Sequence, residues 1–182
     1  DGGRHSGSTS VKMVSGTVTK NIYGGSNGGT LEGNTNVVIE GGKAGWVYGG
    51  GQYDSVNGTA RVTVYPGSKI WGGDAGADTA DAFNRGTVFG GGLGGTVKNT
   101  KVILEGGDFG WAYGGGMDCT VENSTDIRLL GNPDNWCSVY GGGNGGSIKE
   151  ANLTARGVAN SGYAIYMYGG GWSDSVGTAN IT

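Results

Sequence analysis

The residues most able to do chemistry are few, and their spacing limits what that chemistry is. Asp74, Asp78 and Asp81 fall in one short stretch and offer carboxylate oxygens of the kind Ca²⁺ takes. Their spacing fits no EF-hand loop, and no Glu closes the set. The Gly-Gly-x-Gly-x-Asp nonapeptide of calcium-binding β-rolls is missing as well. We read these acids as a solvated loop, with Ca²⁺ as the alternative, and expect no other cofactor. The single histidine, His5, stands in a Gly/Ser-rich start, a poor base for a Ser-His-Asp triad. Lys101 and Asp126 occupy equivalent places in neighbouring repeats and read as a cross-strand ion pair. Carboxylates paired across neighbouring repeats, as glycoside hydrolysis needs, do not occur on that face. No catalytic residue is assigned, and the expectation is a protein that is not an enzyme.

Aromatic side chains offer a different chemistry. Tyr23, Tyr48, Phe89, Tyr113, Tyr140 and Tyr168 recur along the chain, with Trp71 as a further candidate member. Trp46, Trp111 and Tyr166 each stand two residues before one of them. In a strand, that spacing puts both rings on one face, opposite the intervening aliphatic residue. If the aliphatic residues face inward, the aromatics face outward or cover a turn. Sugars stack on exposed aromatic faces, so Trp46, Tyr48, Trp111 and Tyr113 are the candidate ligand-binding residues. The competing reading is a structural ladder, each stacked pair contributing about 0.5–1.5 kcal/mol.

The elements that must position these rings follow from a repeat. An aliphatic residue, an aromatic and a glycine run recur, as in Val47-Tyr48-Gly49-Gly50-Gly51 and Val139-Tyr140-Gly141-Gly142-Gly143. Successive aromatics are 25, 41, 24, 27 and 28 residues apart. Eight residues after each aromatic stands another apolar residue: Leu31, Val56, Val97, Val121, Ile148 and Val176. An alternating segment follows, such as Thr35-x-Val37-x-Ile39 or Thr100-x-Val102-x-Leu104. Alternation with β-branched residues is a strand signal. Each unit thus holds three short strands separated by glycine turns, and one unit cannot bury its apolar face alone. Stacking aligns equivalent residues in inward columns, with about 24–28 residues per coil, six to seven coils, and a length of roughly 30 Å at the strand spacing. Residues 72–86 break the pattern and read as a loop inserted into one coil of a single solenoid spanning 1–182. The glycine triplets also resemble phosphate-cradling loops, but no helix pattern and no Gly-Lys-Ser/Thr follows them.

Composition narrows the rest. Gly supplies 44 of 182 residues, yet two prolines and no Gly-X-Y period exclude collagen. A net charge of −3 with no Lys/Arg-rich run argues against nucleic-acid binding. No apolar run approaches the roughly 20 residues of a membrane span, so no membrane insertion is expected. Cys119 and Cys137 fall on different sides of a coil, which predicts no disulfide between them. The Asp1-Gly2-Gly3 start is not a natural one, so we read the chain as part of a longer protein with neighbouring domains as partners.

The aliphatic-Tyr-Gly-Gly-Gly, Gly95-Thr96-Val97 and Thr35-x-Val37-x-Ile39 elements resemble right-handed parallel β-helix repeats of bacterial adhesin-like surface proteins. The resemblance covers nearly the whole chain and implies an all-β, right-handed parallel β-helix solenoid. It also implies an extracellular, cell-surface or secreted bacterial protein. The function it suggests is a non-enzymatic adhesin or stalk segment that binds a host surface or a glycan. The alternative is a polysaccharide-active lyase or glycosidase, or its accessory domain, because β-helices host both.

Overall fold

Short alternating runs extend the chain, and glycines bend it three times per coil. The computed structural model describes residues 3–72, 85–158 and 162–182. Their strands stack in parallel as a β-solenoid of about six turns, without a helix among them. Three sheets form the sides. The largest has nine strands, including Asn27–Leu31, Gln52–Val64, Thr96–Leu104, Thr120–Leu129, Ser147–Ala155 and Ser175–Ile181. A second has six: Ile22–Tyr23, Val47–Tyr48, Thr87–Phe89, Trp111–Tyr113, Cys137–Tyr140 and Ile165–Tyr168. The third has three: Thr17–Val18, Gly42–Ala44 and Ser68–Ile70.

The register realises the columns that the spacing predicts. Leu31 pairs with Val56, Val56 with Val97, Val97 with Val121, Val121 with Ile148, and Ile148 with Val176. Val37, Val62, Val102, Ile127 and Leu153 form a second column, and Ile39, Val64, Leu104 and Leu129 a third. All of these except Val176 are buried. Midway along the long strands the register shifts at Val97/Asn99, a bulge that bends one strand into two sides of the coil. The short sheet adds Ala44 and Ile70 to the core, and Phe109 joins them, fully buried.

Four threonine hydroxyls inside the coil are paired with backbone carbonyls. The hydroxyls of Thr9, Thr35, Thr100 and Thr125 donate to the carbonyls of Gly24, Gly49, Gly114 and Gly141, at 2.5, 2.5, 2.5 and 2.6 Å. Each therefore ties the start of an alternating strand to the glycine turn of the following coil. The turns need glycine because the coils approach closely there. A Cβ on Gly90 would lie 2.1 Å from the Gly114 carbonyl oxygen, and one on Gly114 would lie 2.3 Å from that of Gly141.

One candidate member of the aromatic column falls outside it. Trp71 does not join the aromatic column, although Ile70-Trp71-Gly72-Gly73 copies its motif. Ile70 pairs with Ala44 in the short sheet, and Trp71 bridges antiparallel to Arg85. The coil continues to Thr87–Phe89 only after the insertion, so Phe89 takes the place next to Tyr48.

Candidate functional site: an aromatic groove

Six aromatic rings stack along one edge of the solenoid. From Tyr23 through Tyr48, Phe89, Tyr113 and Tyr140 to Tyr168, ring centroids are 4.9, 4.8, 5.2, 4.6 and 4.6 Å apart. Successive planes lie within 12° of each other. This is the strand spacing itself, so the backbone ladder sets the stacking distance. The rings point away from the aliphatic core, yet Tyr48 is 0% exposed, Phe89 1%, Tyr113 4% and Tyr140 5%. Burial pushes the Tyr48 and Tyr113 hydroxyls well above the usual phenol range, and that of Tyr140 upward too.

Two further rows cover the stack. Two residues before each aromatic from Tyr48 onward run Trp46, Thr87, Trp111, Ser138 and Tyr166, aligned by the strand register. Four residues after it run Gln52, Leu93, Met117 and Asn144, joined by parallel bridges. Trp172 extends that row, its amide donating to the Gly143 carbonyl at 2.9 Å. The chain bends at the glycine triplet, so these rows rise on either side of the stack and enclose it.

Between the rows lies a cleft of about 240 Å³. Trp46, Thr87 and Trp111 wall one side, while Met117, Asn144 and Trp172 wall the other, with Phe89 and Tyr113 also lining it. None of these side chains carries a charge. The volume is below the roughly 300–1,000 Å³ of a site that engulfs a drug-sized ligand, which suits it to part of an extended one. Trp46 and Trp111 are only partly exposed because both are braced. The Trp46 ring meets Phe89 edge-on, with centroids 6.3 Å apart, and its amide donates to Asn21 Oδ1 at 3.1 Å. Trp111 meets Trp136 at 6.2 Å, and the Arg85 guanidinium lies 5.3 Å from the Trp136 ring. Arg85 is itself in ion-pair contact with Asp108 at 3.0 Å, and Trp71 Nε1 donates to the same carboxylate at 3.3 Å.

Of the four candidate binding residues, the structure brings Trp46, Trp111 and Tyr113 to this cleft. Tyr48 does not line it, because its ring is buried between Tyr23 and Phe89. Asp74, Asp78 and Asp81 lie outside the described residues, as does most of the 72–86 insertion. The root of that insertion is closed by the Trp71–Arg85 bridge and by the Gly86 amide donating to the Ile70 carbonyl at 2.8 Å. Among the described residues no cluster of three or more His, Cys, Asp or Glu side chains could hold a metal. Lys101 Nζ lies 3.6 Å from Asp126 Oδ2, but Arg128 holds that carboxylate more closely, at 2.8 Å. Cys119 and Cys137 are free, buried thiols, pushed up by burial to about 11 and about 12.

Sequence reasoning missed the second wall, Met117, Asn144 and Trp172. Its signal was a fixed offset of four from each aromatic, hidden because the row mixes amide, aliphatic and aromatic types. It also missed two acids that serve structure, the buried Asp54 and the half-buried Asp174. Asp54 accepts from the Gly51 amide at 3.0 Å and from the amide and hydroxyl of Ser26 at 2.8 and 3.1 Å. Asp174 repeats the device on the amides of Gly143 and Gly171, at 2.6 and 3.0 Å. Both stand six residues after an aromatic and tie a glycine turn to the adjacent coil. Comparison with models of protein families, with curated proteins and with solved structures finds no match to this chain.

Proposed function

We propose that this chain is a non-catalytic segment of an extracellular bacterial surface protein, an adhesin or stalk, that holds a glycan in its aromatic groove. The observation that carries the reading is the uncharged cleft walled by Trp46 and Trp111 on one side, with Thr87 and Asn144 supplying hydrogen-bonding groups. Aromatic faces gain apolar contact with the C–H faces of a sugar, at low entropic cost because each ring has only two χ angles. Hydroxyl and amide groups beside them fix orientation. The adhesin assignment rests on the repeat's resemblance, and the glycan on the groove.

A glycan array probed with the purified chain, followed by a reducing-sugar assay on each hit, tests the proposal. Binding that falls on Trp111→Ala without product release supports it. Release of product at catalytic protein concentration overturns it in favour of the polysaccharide-active alternative. Failure to bind any glycan leaves the segment a spacer.

A further inference from the structure

The first wall of the groove has a period of its own. From the second coil onward it reads Trp46, Thr87, Trp111, Ser138 and Tyr166, so aromatic and small hydroxyl residues alternate from coil to coil. One coil rises by the strand spacing, so Trp46, Trp111 and Tyr166 stand at intervals of two rises, roughly 9–10 Å. Thr87 and Ser138, the short side chains at the alternate levels, are buried beside them, at 6% and 8% exposure. Tyr166 is 52% exposed, and Trp46 and Trp111 are half-buried at the rim of the cleft. No residue of this row is charged, and none is in the facing row from Gln52 to Trp172. The charges nearest the groove are engaged elsewhere: Arg85 pairs with Asp108 behind Trp136, and Asp174 accepts from the amides of Gly143 and Gly171.

We infer that the groove takes a neutral, extended β-1,4-linked hexopyranose chain, built on glucose or N-acetylglucosamine, running parallel to the solenoid axis. This rests on the glycan reading above and names its substrate class. A β-1,4 chain in its extended two-fold form turns alternate rings to the same side, and its two-ring repeat matches two coil rises. Every second sugar then presents a flat C–H face to an aromatic platform. The intervening sugars turn the other way, and their hydroxyls meet the polar lining groups of Thr87 and Asn144. Helical chains, such as α-1,4 or β-1,3 glucans, rotate successive rings and lose register with the platforms. Uronate chains would lay carboxylates along a neutral, largely apolar wall with no cation to offset their desolvation.

Titration calorimetry of the whole chain with β-1,4 glucose and N-acetylglucosamine oligomers of two to six rings tests this. Malto-, laminari- and galacturonate oligomers serve as comparisons. Affinity should step up at three rings, which reach two platforms, and again at five, which reach three, then level off. Trp111→Ala should lower affinity for the three-ring oligomer about tenfold, equivalent to about 1.4 kcal/mol. Tyr166→Ala, at an exposed position, should remove only the step at five rings. That variant keeps the inference testable even if Trp111→Ala fails to fold. Lys101→Ala should change nothing. Preference for a helical or acidic glycan, still sensitive to Trp111, would overturn the substrate class and leave the glycan reading standing. Binding to none of the oligomers would overturn the substrate class, with the glycan array deciding the glycan reading, and binding indifferent to Trp46, Trp111 and Tyr166 would overturn both.

Discussion

The rings of Trp111 and Trp136 meet edge to face, with centroids 6.2 Å apart and planes at 89°. Trp136 is separated from Trp111 by a full coil of sequence, yet it sets the angle of the groove wall. It is held in turn by Arg85, which sits at the root of the insertion and contacts Asp108. Loss of this brace should loosen the wall without removing a ligand contact. Trp136→Ala should weaken glycan binding several-fold, whereas Trp136→Phe, which keeps an aromatic edge, should retain it. Calorimetry on the same ligand compares the two.

The Arg85–Asp108 pair is mostly buried, so removing one partner strands the other. Arg85→Ala should destabilise the fold by about 3 kcal/mol, the lower end for a buried pair that loses one member. The midpoint of urea unfolding should fall with an unchanged slope.

Thr125 reports on the interior ties. Thr125→Ala removes the hydroxyl that donates to the Gly141 carbonyl and should cost about 1–2 kcal/mol. In the same column Ala60 stands between Thr35 and Thr100 and lacks the hydroxyl. Ala60→Thr should restore a tie of the same kind and stabilise by up to about 1 kcal/mol. Thermal unfolding of both variants checks the opposite signs.

The columns were legible because solenoid stacking repeats one environment at one offset. Leu31 through Val176, and the Thr-x-Val-x-Ile strands, needed no tertiary information beyond the repeat. The short sheet was not legible, since Gly42–Ala44 and Ser68–Ile70 are too short to show alternation. Trp71 misled because Trp-Gly-Gly copies the column motif locally, while the register is decided by where the chain re-enters after the insertion. Alternation correctly put Tyr48 and Trp46 opposite the aliphatic core. It could not tell that the bend at the glycine triplet makes this outer side concave, which is why Tyr48 is buried beneath rows of mixed composition.

Backbone strain marks a position for improvement. Five residues after successive aromatics the chain turns left-handed, at Gly28, Tyr53, Gly94, Asp118 and Gly145, with φ of 80°, 56°, 73°, 49° and 85°. Three of the five use glycine, and the bulky Tyr53 is the most strained of them. Tyr53 is exposed, so little packing is lost on replacing it. Tyr53→Gly should be stabilising by roughly 0.5–1 kcal/mol, the αL relief of 1–2 kcal/mol less the added chain entropy. Equilibrium unfolding in denaturant measures it.

The buried thiols set the response to alkali. Burial raises Cys119 to about 11 and Cys137 to about 12, and raises Tyr48 and Tyr113 as well. All four favour the protonated form in the fold. Their contribution is complete below the unfolded-state values and is lost as pH rises through the folded ones. Stability should therefore hold to about pH 8 and decline between about pH 9 and pH 12. A thiol reagent should label neither cysteine in the native protein at pH 8 and both after unfolding.

The groove itself is tested most directly by the indole N–H resonances of the five tryptophans during titration with a glycan that binds. Trp46, Trp111 and Trp172 border the cleft, while Trp71 lies on the short-sheet side beneath Lys43 and Lys69. Binding in the groove should give saturable shifts of the Trp46, Trp111 and Trp172 signals with a constant Trp71 signal. Saturable binding that shifts Trp71 and leaves Trp46 and Trp111 in place would contradict it.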